Sequence, residues 1–226
     1  MAINQNYMSP IKYSFKSEII PVLLIVAAWV FGFYFYAHFP AQVVTHWNYN
    51  GQPNGYSSKA VGAFLLPAIL TFIYGLFLGL PYLDPKKERY ESFAKIYTLF
   101  RGLIMGVLLV IFLTASASNL GYPIQTGSII PIIIGLLFIV LGNYMGKIKP
   151  NWFVGIRTPW TLSSENVWNK THRLGGFMFV LFGAGLVATP LFPASAKLLI
   201  LIVGVVLASV IPMAYSYILY RKETVH

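Results

Sequence analysis

The residues best suited to chemistry lie in one polar segment, 147–173, between two long apolar runs. This segment reads Gly-Ile-Arg-Thr-Pro-Trp-Thr at 155–161, and Glu165, Trp168 and His172 follow. Because histidine titrates near neutral pH, His172 and Glu165 are the residues that an acid–base enzyme would use here. They are seven residues apart, however, and would meet only across two helical turns. The segment has no phosphate-binding, zinc-protease or serine-hydrolase motif, so we predict no catalytic residue, cofactor or metal.

Local rules predict how segment 147–173 folds. Thr158 precedes a proline, which favours extended backbone, and Ser163 is a suitable N-cap for a helix that begins at about residue 164. One face of that helix would carry Trp168, Thr171, His172 and Gly175. Gly175 leaves space for another chain segment, so the 155–161 motif is expected to fold back and bring Arg157 and Trp160 against this face.

Three interpretations of segment 147–173 remain open. Its Arg and Trp side chains could anchor a structural cap in the lipid headgroup region, or the segment could dock a peptide or protein. Catalysis by His172 and Glu165 is the third. The basic residues of this segment would also contact anionic lipid headgroups.

A second polar segment, residues 40–59, separates the first two apolar runs. Val43–Trp47 has the composition of a short strand, and Ser57 or Ser58 can cap the next helix. Turns are predicted at the two Asn-Gly pairs, Asn50-Gly51 and Asn54-Gly55. We therefore expect an ordered loop. His46 could hold this loop by hydrogen bonds, contact a ligand, or bind a metal with His38 as a partner.

The composition is that of an all-α integral membrane protein. The chain has 226 residues, of which 57% are hydrophobic and only 10% charged, whereas soluble domains carry about 25% charged residues. Its apolar runs reach the roughly 18 residues of a bilayer span. The first run is too long for a cleavable signal, so we read it as an uncleaved span. Six transmembrane helices are predicted, at about 18–39, 60–81, 97–119, 128–146, 174–192 and 196–220.

The charge distribution predicts the orientation. Arg101 is near the start of the third predicted span and is counted with the second gap. With it, fourteen of the 16 Lys and Arg residues belong to the two tails, the second gap and the fourth gap between spans. The positive-inside rule therefore places both termini and loop 147–173 in the cytoplasm, and loop 40–59 outside. The net charge of +10 follows from this topology, so we predict no direct nucleic-acid partner. We divide the chain into two three-span halves, 1–127 and 128–226.

The carboxylates bear on transport. Asp and Glu occur only at positions 18, 84, 88, 91, 165 and 223, at span edges or in gaps. Ion-coupled transporters usually keep an ionisable group within the membrane. This distribution disfavours such a transporter, but it leaves open a carrier or flippase for an amphipathic peptide or lipid.

The C-terminal half resembles the SdpI family of bacterial membrane immunity proteins. The residues that carry the resemblance are Gly142-Asn143, Asn151-Trp152-Phe153, the 155–161 motif with Arg157, Thr158, Trp160 and Thr161, then Trp168, Thr171-His172 and Gly175-Gly176. The 40–59 loop resembles a small uncharacterised module that often precedes the SdpI part, through Pro40, His46, Trp47, Asn48, Gly51, Gly55, Ser58 and Lys59. Where that module is expected to have an aspartate before its second glycine, this chain has Asn54. This difference argues against a role of the loop that needs a carboxylate.

The resemblance implies a function that spacing alone does not give. Members protect a bacterium from a secreted toxic peptide that acts on its own cell membrane, and the founding type also holds a winged-helix repressor at the membrane. We therefore expect a non-enzymatic, multi-pass immunity or sensor protein in the bacterial cell membrane, with lipid, toxin and repressor as partners. The predicted binding residues are His46, Trp47, Asn48, Gly51, Gly55, Lys59, Asn151, Arg157, Thr158, Trp160, Thr161, Trp168, Thr171 and His172.

Overall fold

A computed structural model describes residues 10–224, and its main elements are seven α-helices and one β-hairpin. Six of the helices are long and apolar enough to cross a membrane, which confirms the predicted six-span fold. The third of them begins at Tyr90, ahead of the predicted 97, because polar residues precede its apolar part. The helices are α1 (Phe15–His38), α2 (Lys59–Leu83), α3 (Tyr90–Asn119), α4 (Thr126–Met145), α5 (Pro159–Ser163), α6 (Glu165–Ala188) and α7 (Ala194–Thr224), where α5 is the short one.

The hairpin joins α1 to α2 and consists of β1 (Gln42–Trp47) paired antiparallel with β2 (Pro53–Ser58). The predicted strand and the predicted turn at Gly51 are both present, and Gly51 has a positive φ of 78°. The expected turn at Asn54-Gly55 is wrong, because both residues lie within β2. Gly55 is needed for space rather than for its φ angle: a Cβ there would lie 2.7 Å from the Cβ of His46.

The hairpin rests on the core of α1, α2 and α3. Val43 of β1 is 1% exposed and packs with Phe39, Leu70, Met105 and Phe112 in one buried cluster. A Cβ at Gly62 would lie 2.3 Å from a Val43 methyl group, so the start of α2 has no room for a larger side chain. The ordered loop that the sequence predicts is therefore held by hydrophobic burial.

Helices α4 and α6 approach each other backbone to backbone. A Cβ at Gly142 would lie 2.5 Å from the carbonyl oxygen of Gly176, and one at Gly135 would lie 2.6 Å from that of Gly183. The two contacts are seven residues apart on each helix, which is two helical turns. Small residues permit such close approach between helices in lipid. Gly142 and Gly176, which are among the residues that carry the family resemblance, therefore have a packing role.

An aromatic cluster closes the other end of the bundle. Tyr90, Phe93 and Tyr97 of α3 pack with Ile148 and Trp168 of the C-terminal half. We call this end the loop end, since it holds segment 147–164, and the opposite end the hairpin end. Ser164 caps α6, one residue later than the predicted cap at Ser163, which instead ends α5.

The structure buries a charge that the sequence analysis assigned to a gap between spans. Arg101 of α3 is fully buried, and its Nη2 donates a 2.7 Å hydrogen bond to a carboxylate oxygen of Glu18 in α1. Tyr74 of α2 donates to the other carboxylate oxygen at 2.9 Å. An ion pair thus lies inside the helix bundle near the loop end. The positive-inside bias does not depend on Arg101, because the remaining basic residues still favour the same ends.

Candidate functional site

The 155–161 motif folds back onto α6 as predicted, and the contact runs through Gly155 and Ile156. Gly155 has a φ of 113°, and a Cβ there would lie 2.3 Å from Nε2 of His172. The backbone N–H of Ile156 donates to the same nitrogen at 2.9 Å. The Ile156 side chain fills the space left by Gly175, where a Cβ would lie 2.2 Å from its Cδ1. The predicted role of Gly175 is therefore correct.

His172 has both ring nitrogens occupied. Nδ1 lies 2.9 Å from the carbonyl of Trp168 and must donate to it, while Nε2 accepts from Ile156. The neutral ring stacks on the indole of Trp168 at 4.0 Å between centroids. The carboxylate of Glu165 instead forms a 2.8 Å ion pair with Arg89. The imidazole therefore braces the segment and is not arranged as half of an acid–base pair.

Asn151 and Asp84 fix the first part of the segment. The Asn151 side chain is fully buried; it donates to the carbonyls of Lys149 and Val154 and accepts from the N–H of Val154. Asp84, which ends α2, accepts 2.9 Å hydrogen bonds from the hydroxyl of Tyr90 and the backbone N–H of Trp152. Residues from both halves of the chain thus meet in one buried polar network.

Thr158 and Thr161 form a capping box at the start of α5, a feature that the sequence analysis did not identify. The Thr158 hydroxyl also lies 3.0 Å from that of Ser216 in α7. The spacing of the two threonines around Pro159 was the signal for this cap. The cap joins the segment to the last helix.

Arg157 and Trp160 lie elsewhere than predicted. The guanidinium of Arg157 turns outward and donates at 2.7 Å to the carbonyl of Trp152, while Trp160 packs on the ring of Tyr217 in α7 at 5.0 Å. Neither side chain lies on the Trp168–His172 face, since Ile156 already fills it. Trp168, Thr171 and His172 are fully buried, so the surface open to a partner is formed by other residues, including Arg157 and Trp152.

At the hairpin end, the turn is closed by Asn48 and seated on α4. The Asn48 side chain accepts from the N–H groups of Asn50 and Gln52 at 2.9 and 3.0 Å. A Cβ at Gly127 would lie 2.2 Å from the Cα of Gly51. Since both positions must be glycine for this contact, the hairpin touches the first turn of α4 directly.

Asn119, which the sequence analysis missed, clamps β1 to α3. Its side chain accepts from the N–H of Val44 at 2.7 Å and donates to the carbonyl of Val44 at 2.9 Å. His46 is exposed, and its Nδ1 lies 2.5 Å from the side-chain oxygen of Asn54. Lys59 lies over the ring of Tyr36 at 4.6 Å. No sequence motif marked Asn119; its partner is 75 residues away.

A cavity of about 850 Å³ lies beneath the hairpin and between the two halves. Its walls come from β1 and from α2, α3, α4, α6 and α7, and they are mainly apolar. Of the predicted site residues, His46, Trp47 and Asn48 line it. Sequence reasoning missed the polar residues Ser116, Asn119, Thr126, Thr189 and Lys197. A largely apolar cavity with a few polar groups is the usual form of a small-ligand site.

The two ends of the bundle differ in charge. The acidic residues lie at the loop end, where α1, α3 and α6 start and α2 and α7 finish. None of the residues that line the cavity is Asp or Glu, and Lys197 is the charged one among them. Within residues 10–224, no group of three or more His, Asp and Glu side chains could hold a metal ion.

Comparison with known proteins defines the class. The model of the SdpI/YfhL protein family matches residues 147–216, and that of a domain of unknown function, DUF1648, matches residues 23–71. The resemblance recognised in the sequence is thus confirmed: residues 147–216 are similar to the SdpI/YfhL family and residues 23–71 to DUF1648, in a chain with six helices long and apolar enough to cross a membrane.

One relative matches almost end to end. The chain is 28% identical over 207 residues to Immunity protein SdpI of Bacillus subtilis (strain 168), covering 92% of this chain and 97% of that protein. No solved structure matches the chain.

Proposed function

We propose that this protein protects a bacterium against a secreted, membrane-active toxic peptide and senses that peptide from its multi-pass position in the cell membrane. The observation that carries this proposal is the end-to-end similarity to a protein named for immunity. The cavity beneath the hairpin supports it, because residues of both matched regions line that cavity. We place the peptide contact at loop 40–59 and the adjoining helix ends.

The proposed orientation puts the hairpin end outside the cell and the loop end in the cytoplasm. It rests on the concentration of Lys and Arg at the loop end and in the tails. The toxin would then meet the hairpin first, while segment 147–173 would face cytosolic partners. The proposed halves, 1–127 and 128–226, meet at the cavity.

We propose a bracing role for segment 147–173, with its surface available to a cytosolic winged-helix repressor. Buried Trp168 and His172 hold the backbone in place, so a repressor would contact the exposed Arg157 and Trp152, of which Trp152 is 47% exposed. An Arg157→Ala variant is expected to lose co-sedimentation of the repressor with membranes and to retain toxin protection. Loss of both would assign Arg157 to the fold instead.

The protective role is tested by survival. A sensitive strain that expresses the protein is challenged with membrane-active peptides secreted by the source bacterium, and the lethal dose is compared with that of an empty-vector strain. The proposal expects a raised lethal dose for at least one such peptide. Equal killing of both strains, with the protein present in the membrane, would overturn it.

A carrier or flippase for an amphipathic peptide or lipid is the second candidate. It is favoured by one observation, the cavity that lies between the two halves, since transporters place their sites between structural repeats or bundles. Proteoliposomes separate the two functions: a carrier would move a fluorescent peptide or lipid across the bilayer, whereas a binder would retain it on one side.

A further inference from the structure

The cavity beneath the hairpin has features that indicate what occupies it. We propose that it binds an apolar peptide segment that bears a free carboxylate, with the apolar part inside and the carboxylate near Lys197. This inference rests on the proposed function for the source of the peptide, and it adds the chemistry by which the peptide is recognised.

The first feature is an unsatisfied hydroxyl. Thr126 is 3% exposed and lines the cavity, and its Oγ1 has no hydrogen-bond partner within residues 10–224. A buried polar group without a partner is costly, so a ligand that supplies one gains affinity. Ser116 and Asn119 line the same cavity. A peptide group provides both a donor and an acceptor, whereas an acyl chain provides neither.

The second feature is charge. Lys197, which is half-buried in the first turn of α7, is the charged residue of the lining, and no carboxylate of the lining opposes it. The site therefore favours a ligand with negative charge over one with positive charge. The other lining residues include Leu65, Leu66 and Ile130, which suit an apolar body.

The third feature is size. A volume of about 850 Å³ lies within the range of pockets that enclose most of a drug-sized molecule. It fits a short stretch of chain and not a folded domain. The rest of a longer peptide would leave past His46 and Tyr49, which are exposed and line the same cavity.

The absence of cysteine from the sequence allows a direct occupancy assay. Ala115→Cys places the only thiol in the cavity wall, and Gly106→Cys places one on the same helix where a Cβ meets nothing within 4 Å. Both variants are reconstituted in phosphatidylcholine nanodiscs and alkylated with N-ethylmaleimide. The probes are a short peptide of Leu, Val and Ala with a free C-terminal carboxylate, and the same peptide as its amide.

We expect the carboxylate peptide to slow alkylation of Ala115→Cys, and to leave that of Gly106→Cys unchanged. When Thr126→Val is added to Ala115→Cys, the peptide concentration that gives half-maximal protection from alkylation should rise about fivefold for both peptides, because one hydrogen bond is lost. Lys197→Gln should abolish a preference of about threefold for carboxylate over amide. The matched controls are Thr114→Val and Lys222→Gln. The Thr114 hydroxyl donates to the Val110 carbonyl of its own helix, and Lys222 lies at the other end of α7.

Three results would overturn the inference. In the first, neither peptide slows alkylation of Ala115→Cys. In the second, the peptides slow alkylation of Gly106→Cys as much as that of Ala115→Cys. In the third, phosphatidylglycerol in the nanodisc protects Ala115→Cys without any peptide, which would make a lipid the occupant. The two proposals fail separately. Peptide binding without any protection of cells would overturn the immunity role, and protection by a protein that binds neither peptide would overturn this account of the cavity.

Discussion

His172 is the residue on which the loop-end motif depends. It joins the left-handed Gly155, the backbone of Ile156 and the indole of Trp168 in one contact. Because both imidazole nitrogens are used within the chain, the residue that looked most like an acid or base has a structural explanation. The same contact explains why position 155 is glycine.

His172→Phe should destabilise the protein by about 1–2 kcal/mol, because phenylalanine can still stack on Trp168 but leaves the N–H of Ile156 unpaired. The measurement is thermal unfolding in detergent, together with proteolysis of segment 147–158. His38→Phe is the matched control, since His38 is exposed and bonds to the Tyr34 carbonyl of its own helix; it should change stability by less than about 0.5 kcal/mol. Equal effects of the two substitutions would contradict the bracing role.

The Glu18–Arg101 pair should be strongly coupled. Glu18→Gln, Arg101→Gln and the double variant form a cycle, for which we expect a coupling energy of about 1.5–3 kcal/mol, as for hydrogen bonds between charged groups. Arg101 is fully buried, while the Glu18 side chain is 19% exposed, so water cannot replace the ion pair fully. Additive effects in denaturant unfolding would show that the two charges act independently.

At the scale of the elements, the α4–α6 crossing brings two backbones together at two pairs of glycines. Gly142→Ala should destabilise the protein by about 1–3 kcal/mol, because the added methyl group meets the backbone of Gly176 and cannot be relieved by a rotamer change. Gly106→Ala, which adds the same methyl group in open space, should be neutral or slightly stabilising. Thermal unfolding of both variants in one detergent gives the comparison; a neutral Gly142→Ala would mean that the helices are farther apart.

The hairpin is held through Asn119. Asn119→Ala removes both hydrogen bonds to Val44, so hydrogen exchange across residues 42–58 should accelerate about tenfold. Asn143→Ala is the control, since the Asn143 side chain donates to the Ile139 carbonyl of its own helix. Unchanged exchange in Asn119→Ala would show that burial of Val43 is sufficient to hold the hairpin.

Local patterns predicted the elements well and their long-range partners poorly. The runs of apolar residues identified six spans, and β-branched residues identified strand β1. The turn predicted at Asn54-Gly55 is wrong, because Gly55 makes room for the His46 side chain across the hairpin. Arg101 was counted with a gap for its charge, and its ion pair was not foreseen because its partner Glu18 is 83 residues away. Thr126 and Lys197 belong to the cavity only through the packing of five helices, which no local spacing encodes.

At the scale of the whole molecule, the account requires the two ends to face different compartments. Gln52→Cys in the hairpin should react with a membrane-impermeant thiol reagent in intact cells. Ser163→Cys at the end of α5 should react only after the membrane is permeabilised. Both residues are exposed, and the chain has no other thiol. Labelling of Ser163→Cys in intact cells would invert the orientation and remove the hairpin from the toxin's side.

Protection by cavity variants in living cells tests the central claim most directly. The experiment compares three strains with equal membrane levels of the protein. They express the wild type, the cavity pair Thr126→Val/Lys197→Gln, or the control pair Thr114→Val/Lys222→Gln. Each receives a peptide against which the wild type protects. We predict that the control pair keeps the wild-type lethal dose and that the cavity pair lowers it about tenfold. Full protection by the cavity pair would contradict the claim that the space beneath the hairpin is where the toxin is bound.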